Sequence, residues 1–418
     1  MMQAGDPATR APMPPSAGEE RQRARPTLRI GMSGLFLRYP HTGTGRYARR
    51  VLEQLAQAPD VRTLVVTDAP ATSIGARSAT VGLVRAPQPP LRLGAYAQKL
   101  YWEQLGLRLV MRRLPVDVLY SPHFSLPLFP GRRAVVSVHD VIPLTEPGYN
   151  ESIATRLYFT LVGAAARQAS AINTLSEYSA REIERVLDIP RSRIHVIPPG
   201  VEPHFNARPD AAAMARARAR LALPERYLLY LGGGDARKNI GVLLEALAHL
   251  RRQADTARDG GPQLPLLVIA AATPKPAPSA HHPDWRGMAR RLGVADGVHF
   301  VERVEEEDLP AVYRGALALL FPSRAEGFGL TPLEAMACGT PVLCSNATSL
   351  PEAVGEAGLL LAPDAAPAWA AAIRRLCGDG DLRGRLREAG MRQARAFRWE
   401  DTGSRVLAVL REVAQCES

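Results

Sequence analysis

The sequence predicts an α/β protein of two doubly wound domains facing each other across a cleft. Three observations lead there. Short apolar runs alternate with amphipathic helical stretches, the rhythm of parallel sheets covered by helices on both faces. That rhythm breaks once, over residues 200–223, where GVEPHFN reads as loop and AAAMARARARLAL as a solvated helix. Each side of the break holds about enough strands for one doubly wound sheet.

In chain order, residues 1–26 are polar and rich in Pro, Ala, Gly and Arg, with no apolar signal core, and read as a disordered tail. Strands are expected over 27–32, 63–67, 116–120, 134–138 and 169–175. A second series falls over 227–231, 264–270, 298–301, 316–321 and 341–344. Helices lie between many of them, as at 45–57 and 240–252. A last helix, 398–413, follows the second sheet. The expected units are 27–205, 206–397, and a helix within 398–418 that crosses back to the first unit.

The 418 residues are 46% hydrophobic and 22% charged, as in a soluble globular protein, and no apolar run reaches the length of a membrane span. The four cysteines form no CxxC pair, which argues against zinc and for reduced thiols in a cytosol. The net charge of +11 is uneven: residues 28–205 carry 21 Lys and Arg against 13 Asp and Glu, residues 206–418 carry 27 against 25. Such a field draws phosphorylated ligands, anionic lipid headgroups or nucleic acid. No helix-turn-helix, RNA-recognition or zinc signature accompanies it, so a nucleic-acid partner is not expected.

The most informative stretch is 321–351, FPSRAEGFGLTPLEAMACGTPVLCSNATSLP. A buried strand empties into a loop containing Glu326, Gly327, Phe328 and Gly329, and a short helix follows. Such a junction holds phosphates, and carboxylates beside it can grip sugar hydroxyls. Glu334 has two readings. Thr331-Pro332-Leu333-Glu334 spells a capping box, which would keep the carboxylate at home; otherwise it serves a ligand. Glu352, after Leu350-Pro351, also reads as a cap. The segment YLLYLGGGDARKN runs a strand into three glycines, then Arg237 and Lys238, then a helix capped by Asn239. Two cations there could neutralise a departing diphosphate, or form a solvated basic turn.

In the first half, Gly43-Thr44-Gly45 precedes a helix. It lies about eleven residues past the strand end, too far for a dinucleotide fingerprint, but a flexible glycine loop at the cleft remains open. His139 and Asp140 directly follow a buried strand, where α/β folds collect ligand-binding residues. No nucleophile motif supports a hydrolase triad. Asp379-Gly380-Asp381 spells DxD but reads as a turn that starts a helix.

Taken together, these segments resemble the family 4 glycosyltransferases. Glu326-GFGLTPL-Glu334 is similar to that family's E-x7-E signature. Gly43-Thr44-Gly45-Arg46-Tyr47, His139-Asp140-Val141-Ile142-Pro143, Leu175-Ser176-Glu177, Ile197-Pro198-Pro199-Gly200-Val201 and Arg237-Lys238-Asn239 follow in the family's order, from about Leu28 to Val413. The resemblance implies a GT-B architecture, two Rossmann-like domains around a cleft, and sugar transfer with retention and without a metal or other cofactor.

It further implies roles. Glu326 would orient the donor sugar and Glu334 would bind the ribose. Backbone around Gly327, Phe328, Gly329 and Leu330 would lie near the nucleotide sugar, with the amides of Gly329 and Leu330 at the diphosphate. Arg237 and Lys238 would stabilise the leaving phosphate. His139, with the Gly43–Gly45 loop, would face the donor from the other domain. One departure stands out: the Arg that many members carry five residues before the Lys is Gly233 here, so Arg237 must supply the second cation. HDVIP with RKN looks most like bacterial mannosyltransferases of surface polysaccharide assembly. The expected donor is GDP-mannose, with UDP-sugars as runner-up. The expected acceptor is a glycan, free or on a polyprenyl carrier. The expected location is cytoplasmic, with peripheral contact at the anionic inner face of the membrane. Two alternatives of other kinds stay open: a basic nucleic-acid-binding protein, and a member that binds the nucleotide sugar without turnover.

Overall fold

The structure, a computed structural model, describes residues 28–68, 79–87, 95–146, 152–256, 264–271, 279 and 281–416. The expected disordered tail, 1–26, lies outside the described residues.

Two parallel sheets are present. The first contains β1 (Leu28–Ser33), β2 (Val61–Thr67), β3 (Val81–Arg85), β4 (Val118–Ser121), β5 (Ala134–Ser137), β6 (Ala171–Thr174) and β7 (Ile194–Val196). Its spatial order is β3-β2-β1-β4-β5-β6-β7. The second contains β8 (Tyr227–Leu231), β9 (Leu266–Ala270), β10 (Val298–Val301), β11 (Ala318–Phe321), β12 (Val342–Ser345) and β13 (Leu359–Leu361), in the order β10-β9-β8-β11-β12-β13. This is the doubly wound α/β class that the alternation predicts. Central strands such as β4, β5, β6, β11 and β12 are buried at every position, because a parallel sheet covered on both faces exposes neither. Strands β3, β7 and β13 were not anticipated. All three are sheet edges; β7 and β13 have only three residues and β3 is largely half-exposed, so none leaves a strong apolar run.

The helices are α1 (Gly43–Leu55), α2 (Ala95–Leu100), which continues through a π-helical segment (Tyr101–Gly106) into α3 (Leu107–Arg113), then α4 (Ile142–Thr145), α5 (Ile153–Arg167) and α6 (Glu177–Leu187). Next come α7 (Ala211–Leu221), α8 (Ile240–Thr256), α9 (Trp285–Arg291), α10 (Leu309–Gly315), α11 (Leu330–Ala337), α12 (Leu350–Val354), α13 (Ala366–Gly378), α14 (Gly380–Ala394) and α15 (Trp399–Gln415).

Helix α7 is not the wholly solvated helix expected: Ala213 and Ala217 are buried in the same apolar cluster as Tyr227 and Tyr313. Helix α15 packs against α1, so closely that a Cβ on Gly403 would stand 2.3 Å from Gln54 Cβ. Trp399, Val406 and Leu410 share one apolar cluster with Val51, Leu52, Leu333 and Met336, which ties the two sheets together. In each sheet the chain winds both ways from a central pair, β1/β4 and β8/β11. Ligands of open α/β sheets bind outside the strand C-termini at such switch points.

Candidate functional site

The switch point of the second sheet brings two loops together. One leaves β8 and carries Arg237 and Lys238; the other leaves β11 and carries Glu326. Lys238 Nζ donates to Glu326 Oε1 at 2.5 Å, and Arg237 Nη1 stands 3.3 Å from Oε2. Both oxygens of this largely buried carboxylate therefore face cations. Burial alone would raise its pKa, but Lys238 and Arg237 outweigh burial and hold it below the usual glutamate value. Arg237 also lies 3.4 Å from Asp235 and donates to the Ala325 carbonyl. A side chain at Gly233 would meet Asp235 Oδ2 at 2.8 Å, so an Arg there would require the Asp235 side chain to turn aside.

The Glu326 loop is pinned from several sides. Ser349 Oγ donates to the carbonyls of Glu326 and Phe328, at 2.8 and 3.0 Å. Glu326 N donates to Thr348 Oγ1 at 3.0 Å. Thr348 sits at φ 53°, a left-handed conformation that a β-branched residue adopts only under strain. The amides of Gly327, Phe328 and Gly329 have no hydrogen-bond partner among the described residues. The Phe328 ring points into the core and meets Phe397 at 5.5 Å, so only its backbone is placed to touch a ligand. Asn239 is not the simple cap expected. It sits at φ 58° and its amide donates to the carbonyls of Pro322 and Pro363, stitching neighbouring loops.

The capping-box reading of Glu334 is overturned. Helix α11 begins two residues earlier than that box requires, at Leu330, entered through Gly329 at φ 126°, and no side chain caps it. Thr331 is already helical. Glu334 instead accepts from Arg46 Nη1 at 2.6 Å and from Tyr313 Oη at 3.0 Å. Burial raises its pKa, although Arg46 and Tyr313 oppose the shift. Arg46 belongs to α1, so this buried pair joins the two halves.

Gly43 and Gly45 are not a flexible loop but the first turn of α1. Thr42 caps it, its hydroxyl accepting from Gly45 N at 3.0 Å. A Cβ at Gly45 would stand 2.0 Å from the Tyr39 carbonyl oxygen, whereas the Cα of Gly43 faces open space. His139 stands against Tyr47, ring centroids 4.6 Å apart, and its Nε2 is buried without a partner among the described residues. Burial pushes its pKa down to about 4, which keeps the ring neutral.

The halves meet here. A Cβ on Gly327 would lie 2.8 Å from the His139 carbonyl oxygen and 3.0 Å from Asp140 Oδ2. Ser176 and Ser179 donate to the Gly327 carbonyl at 2.9 and 3.1 Å. Glu352 does not cap its own helix. Its carboxylate accepts from the first amides of α6, Glu177 N and Tyr178 N, both at 2.7 Å.

Of the residues singled out from the sequence, the structure brings Glu326, Arg237 and Lys238 into direct contact and sets Glu334 and His139 at the seam between the halves. Sequence reading missed Arg46 and Tyr313 as partners of Glu334, Thr348 beneath Glu326, and the serines that hold Gly327. The one available signal was that SNAT and LSE each follow a strand. Asp379 accepts from Leu382 N and caps α14, as a helix-starting turn requires. Among the described residues no group of three or more His, Cys, Asp and Glu could hold a metal ion. A cavity of about 700 Å3 lies elsewhere, between α1, the 201–209 segment and the start of α15.

Two family models match, one over each sheet: Glycosyltransferase Family 4 over residues 41–205 and Glycosyl transferases group 1 over residues 214–393. The chain belongs to the family 4 glycosyltransferases. Among curated relatives, this glycosyltransferase is 29% identical over 386 residues to O-antigen chain mannosyltransferase B of Escherichia coli, covering 87% of this chain and 94% of that one. It is 32% identical over 252 residues to D-inositol 3-phosphate glycosyltransferase of Corynebacterium glutamicum, covering 59% of this chain and only 58% of that one. Among solved structures, sucrose-phosphate synthase of Thermosynechococcus elongatus superposes with a TM-score of 0.71 at 23% identity, covering 92% and 98% of the two chains. Anabaena HepE in complex with UDP-glucose gives 0.66 at 18% identity, covering 92% and 100%. These likenesses establish the GT-B fold of the glycosyltransferase.

Proposed function

We propose that this glycosyltransferase moves mannose from GDP-mannose to a glycan acceptor, free or lipid-linked, with retention of anomeric configuration. The observation that carries the reading is the contact of Glu326 with Lys238 and Arg237 at the β8/β11 switch point. It sets a carboxylate for sugar hydroxyls beside two cations for a diphosphate. Residues 27–205 form the acceptor-side unit, 206–397 the donor unit, and 398–418 the helix that returns to the first.

The chemistry is departure of a nucleoside diphosphate from an oxocarbenium-like sugar. The bond from C1 to the phosphate oxygen breaks and the bond from C1 to the acceptor oxygen forms on the same face. The acceptor's proton passes to the leaving phosphate oxygen. Arg237, Lys238 and the amides of Gly327 to Leu330 stabilise the negative charge that develops there. Glu326 orients the sugar, Glu334 takes the ribose hydroxyls, and neutral His139 faces the donor from the first half with Gly43 and Gly45. No resident metal or cofactor takes part. Closure at Gly327 excludes water.

The mannose assignment rests on the near full-length similarity to the Escherichia coli mannosyltransferase. A UDP-sugar donor is the second reading, supported by the shared fold of HepE with UDP-glucose. Thermal shift with GDP, UDP and ADP, followed by radiolabel transfer from GDP-mannose and UDP-glucose, separates the two; turnover with UDP-glucose alone rejects mannose. No helix among the described residues is long and apolar enough to cross a membrane. Exposed Leu105, Leu109, Phe129, Ile153 and Leu157, beside exposed Arg112 and Arg156, support peripheral contact with an anionic surface. Failure to co-sediment with anionic liposomes at low salt counts against that contact.

A further inference from the structure

The cavity of about 700 Å3 sits where the chain passes between its halves. The chain leaves the first sheet after β7 and returns to it at α15, which packs on α1. These two crossings run side by side. Val201 N donates to the Phe397 carbonyl at 3.0 Å, and Thr402 Oγ1 donates to the Pro198 carbonyl at 2.8 Å. A Cβ on Gly200 would stand 2.2 Å from Trp399 N. Both crossings line the cavity, with α1 closing it from the first half and the ends of α11 and α14 from the second. Its walls combine three aromatic side chains, Phe205, Phe397 and Trp399, with four arginines. Arg50 is fully engaged: it donates to Glu202 Oε1 at 2.7 Å, to Glu202 Oε2, and to Glu53 at 2.6 Å. Arg398 pairs loosely with Glu400, 3.5 Å away, and both are largely exposed. Arg208 and Arg395 are exposed, and their guanidinium groups have no partner among the described residues. The wall also holds a buried donor, Trp399 Nε1, with no partner among the described residues.

We propose that this cavity binds a small organic phosphate, a phosphate monoester on a sugar or aromatic ring, and that its occupant holds the two halves closed over the donor. The volume suits a small molecule, and interfaces between domains are where such sites form. Guanidinium forks match phosphate oxygens in pairs, and Arg208 and Arg395 bring two of them with no carboxylate to satisfy. The aromatic walls take the ring that carries the phosphate. A bare anion would use the arginines and leave those walls empty.

The effect on the donor follows from what the walls touch. Phe205 meets Tyr313, ring centroids 5.9 Å apart, and Tyr313 holds Glu334. Phe397 meets Phe328 of the Glu326 loop at 5.5 Å. Trp399 meets Tyr47 at 6.1 Å, and Tyr47 backs His139. Arg50 lies one turn past Arg46 on α1, and Arg46 donates to Glu334. An occupant that grips both crossings favours the arrangement that brings them together, and it shifts the population toward that arrangement. A nucleotide between the halves leaves only when they part. Its release therefore slows when the cavity is filled.

The link to the donor rests on the glycosyltransferase reading, whereas the cavity's own ligand does not, and the test separates the two. Phenyl phosphate, mannose 6-phosphate and inorganic phosphate are titrated into the full chain by calorimetry, with and without saturating GDP. The wild type is compared with a chain carrying both Arg208→Gln and Arg395→Gln; both side chains are exposed, so the fold and the GDP affinity of the empty protein should hold. The wild type is expected to bind at least one organic phosphate tenfold or more tighter than inorganic phosphate, with GDP present. Preference for mannose 6-phosphate assigns the site to a sugar phosphate, and preference for phenyl phosphate to an aromatic one. The double variant loses this binding at least tenfold. Release of a fluorescent GDP analogue, followed by stopped flow, slows at least threefold when the probe saturates the wild type and is unchanged by it in the double variant. No binding of either organic phosphate, binding no tighter than that of inorganic phosphate, binding that survives in the double variant, or binding that GDP abolishes overturns the site. GDP release indifferent to the probe overturns the link to the donor. A wild type that binds no GDP rejects the donor reading instead, and the titrations without GDP then decide the cavity.

Discussion

Glu326 is held by two cations that a diphosphate would have to share with it. Replacing its charge while keeping its shape separates the two demands. In Glu326→Gln, sugar transfer is expected to fall about 100-fold or more, the scale of a lost charged contact in the transition state. Binding of the nucleoside diphosphate is expected to hold or tighten, because Lys238 and Arg237 are no longer neutralised. Lys238→Ala should do the opposite to binding, weakening the diphosphate by about 1.5–3 kcal/mol, the worth of a charge-assisted hydrogen bond. Calorimetry beside radiolabel transfer reads both variants, and near-normal rates in Glu326→Gln would reduce that residue to a bystander. His139 gives a pH test. Its folded pKa, about 4, lies below its ordinary 6.5, so between these values the unfolded chain binds more protons. The stability it contributes is present above 6.5 and is lost as pH falls toward 4, about 2–3 kcal/mol for this partly buried ring. Urea titrations of wild type and His139→Gln should converge as the pH drops through that window.

The elements that build the site show what a linear sequence reveals. A strand that ends in a polar glycine loop before a helix is a local pattern, so Arg237, Lys238 and Glu326 were legible from their own neighbourhoods. The central strands were legible because double-sided burial demands unbroken apolar runs. The edges β3, β7 and β13 were not, since a short edge strand needs little apolar surface. Glu334 failed for a different reason. The box of Thr331, Pro332 and Glu334 is intact as a pattern, but Gly329 at φ 126° starts the helix two residues early and turns the carboxylate toward Arg46. Nothing near residue 334 in the chain announces an arginine 288 positions away. Thr348 was silent too, because strain belongs to the fold and not to the letter. Its left-handed backbone gives a split expectation. Thr348→Gly should leave stability unchanged or raise it by about 1 kcal/mol as strain is relieved. It should also lower turnover, because Glu326 N loses its hydroxyl acceptor. Denaturant midpoints that fall while the rate holds would show that the hydroxyl matters for folding and not for the site.

The whole molecule closes on a few contacts between its halves: Arg46 with Glu334, Ser176 and Ser179 with the Gly327 carbonyl, and Glu352 with α6. Gly327 is the narrowest of them. A methyl there would meet the His139 carbonyl, which is backbone and cannot turn aside. Gly327→Ala is expected to keep both sheets folded while holding the halves apart. The radius of gyration from small-angle scattering should rise and transfer should fall, with binding of the nucleoside diphosphate to the second sheet nearly intact; an unchanged radius would show that the contact is not what shuts the cleft. Glu352 carries a consequence of its own. Its carboxylate plugs the positive end of α6, so every separation of the halves uncorks two amides that then look for another acid. Sulfate or phosphate is the expected competitor, so raising either at constant ionic strength should slow radiolabel transfer, and a rate indifferent to the anion would show that the plug stays seated.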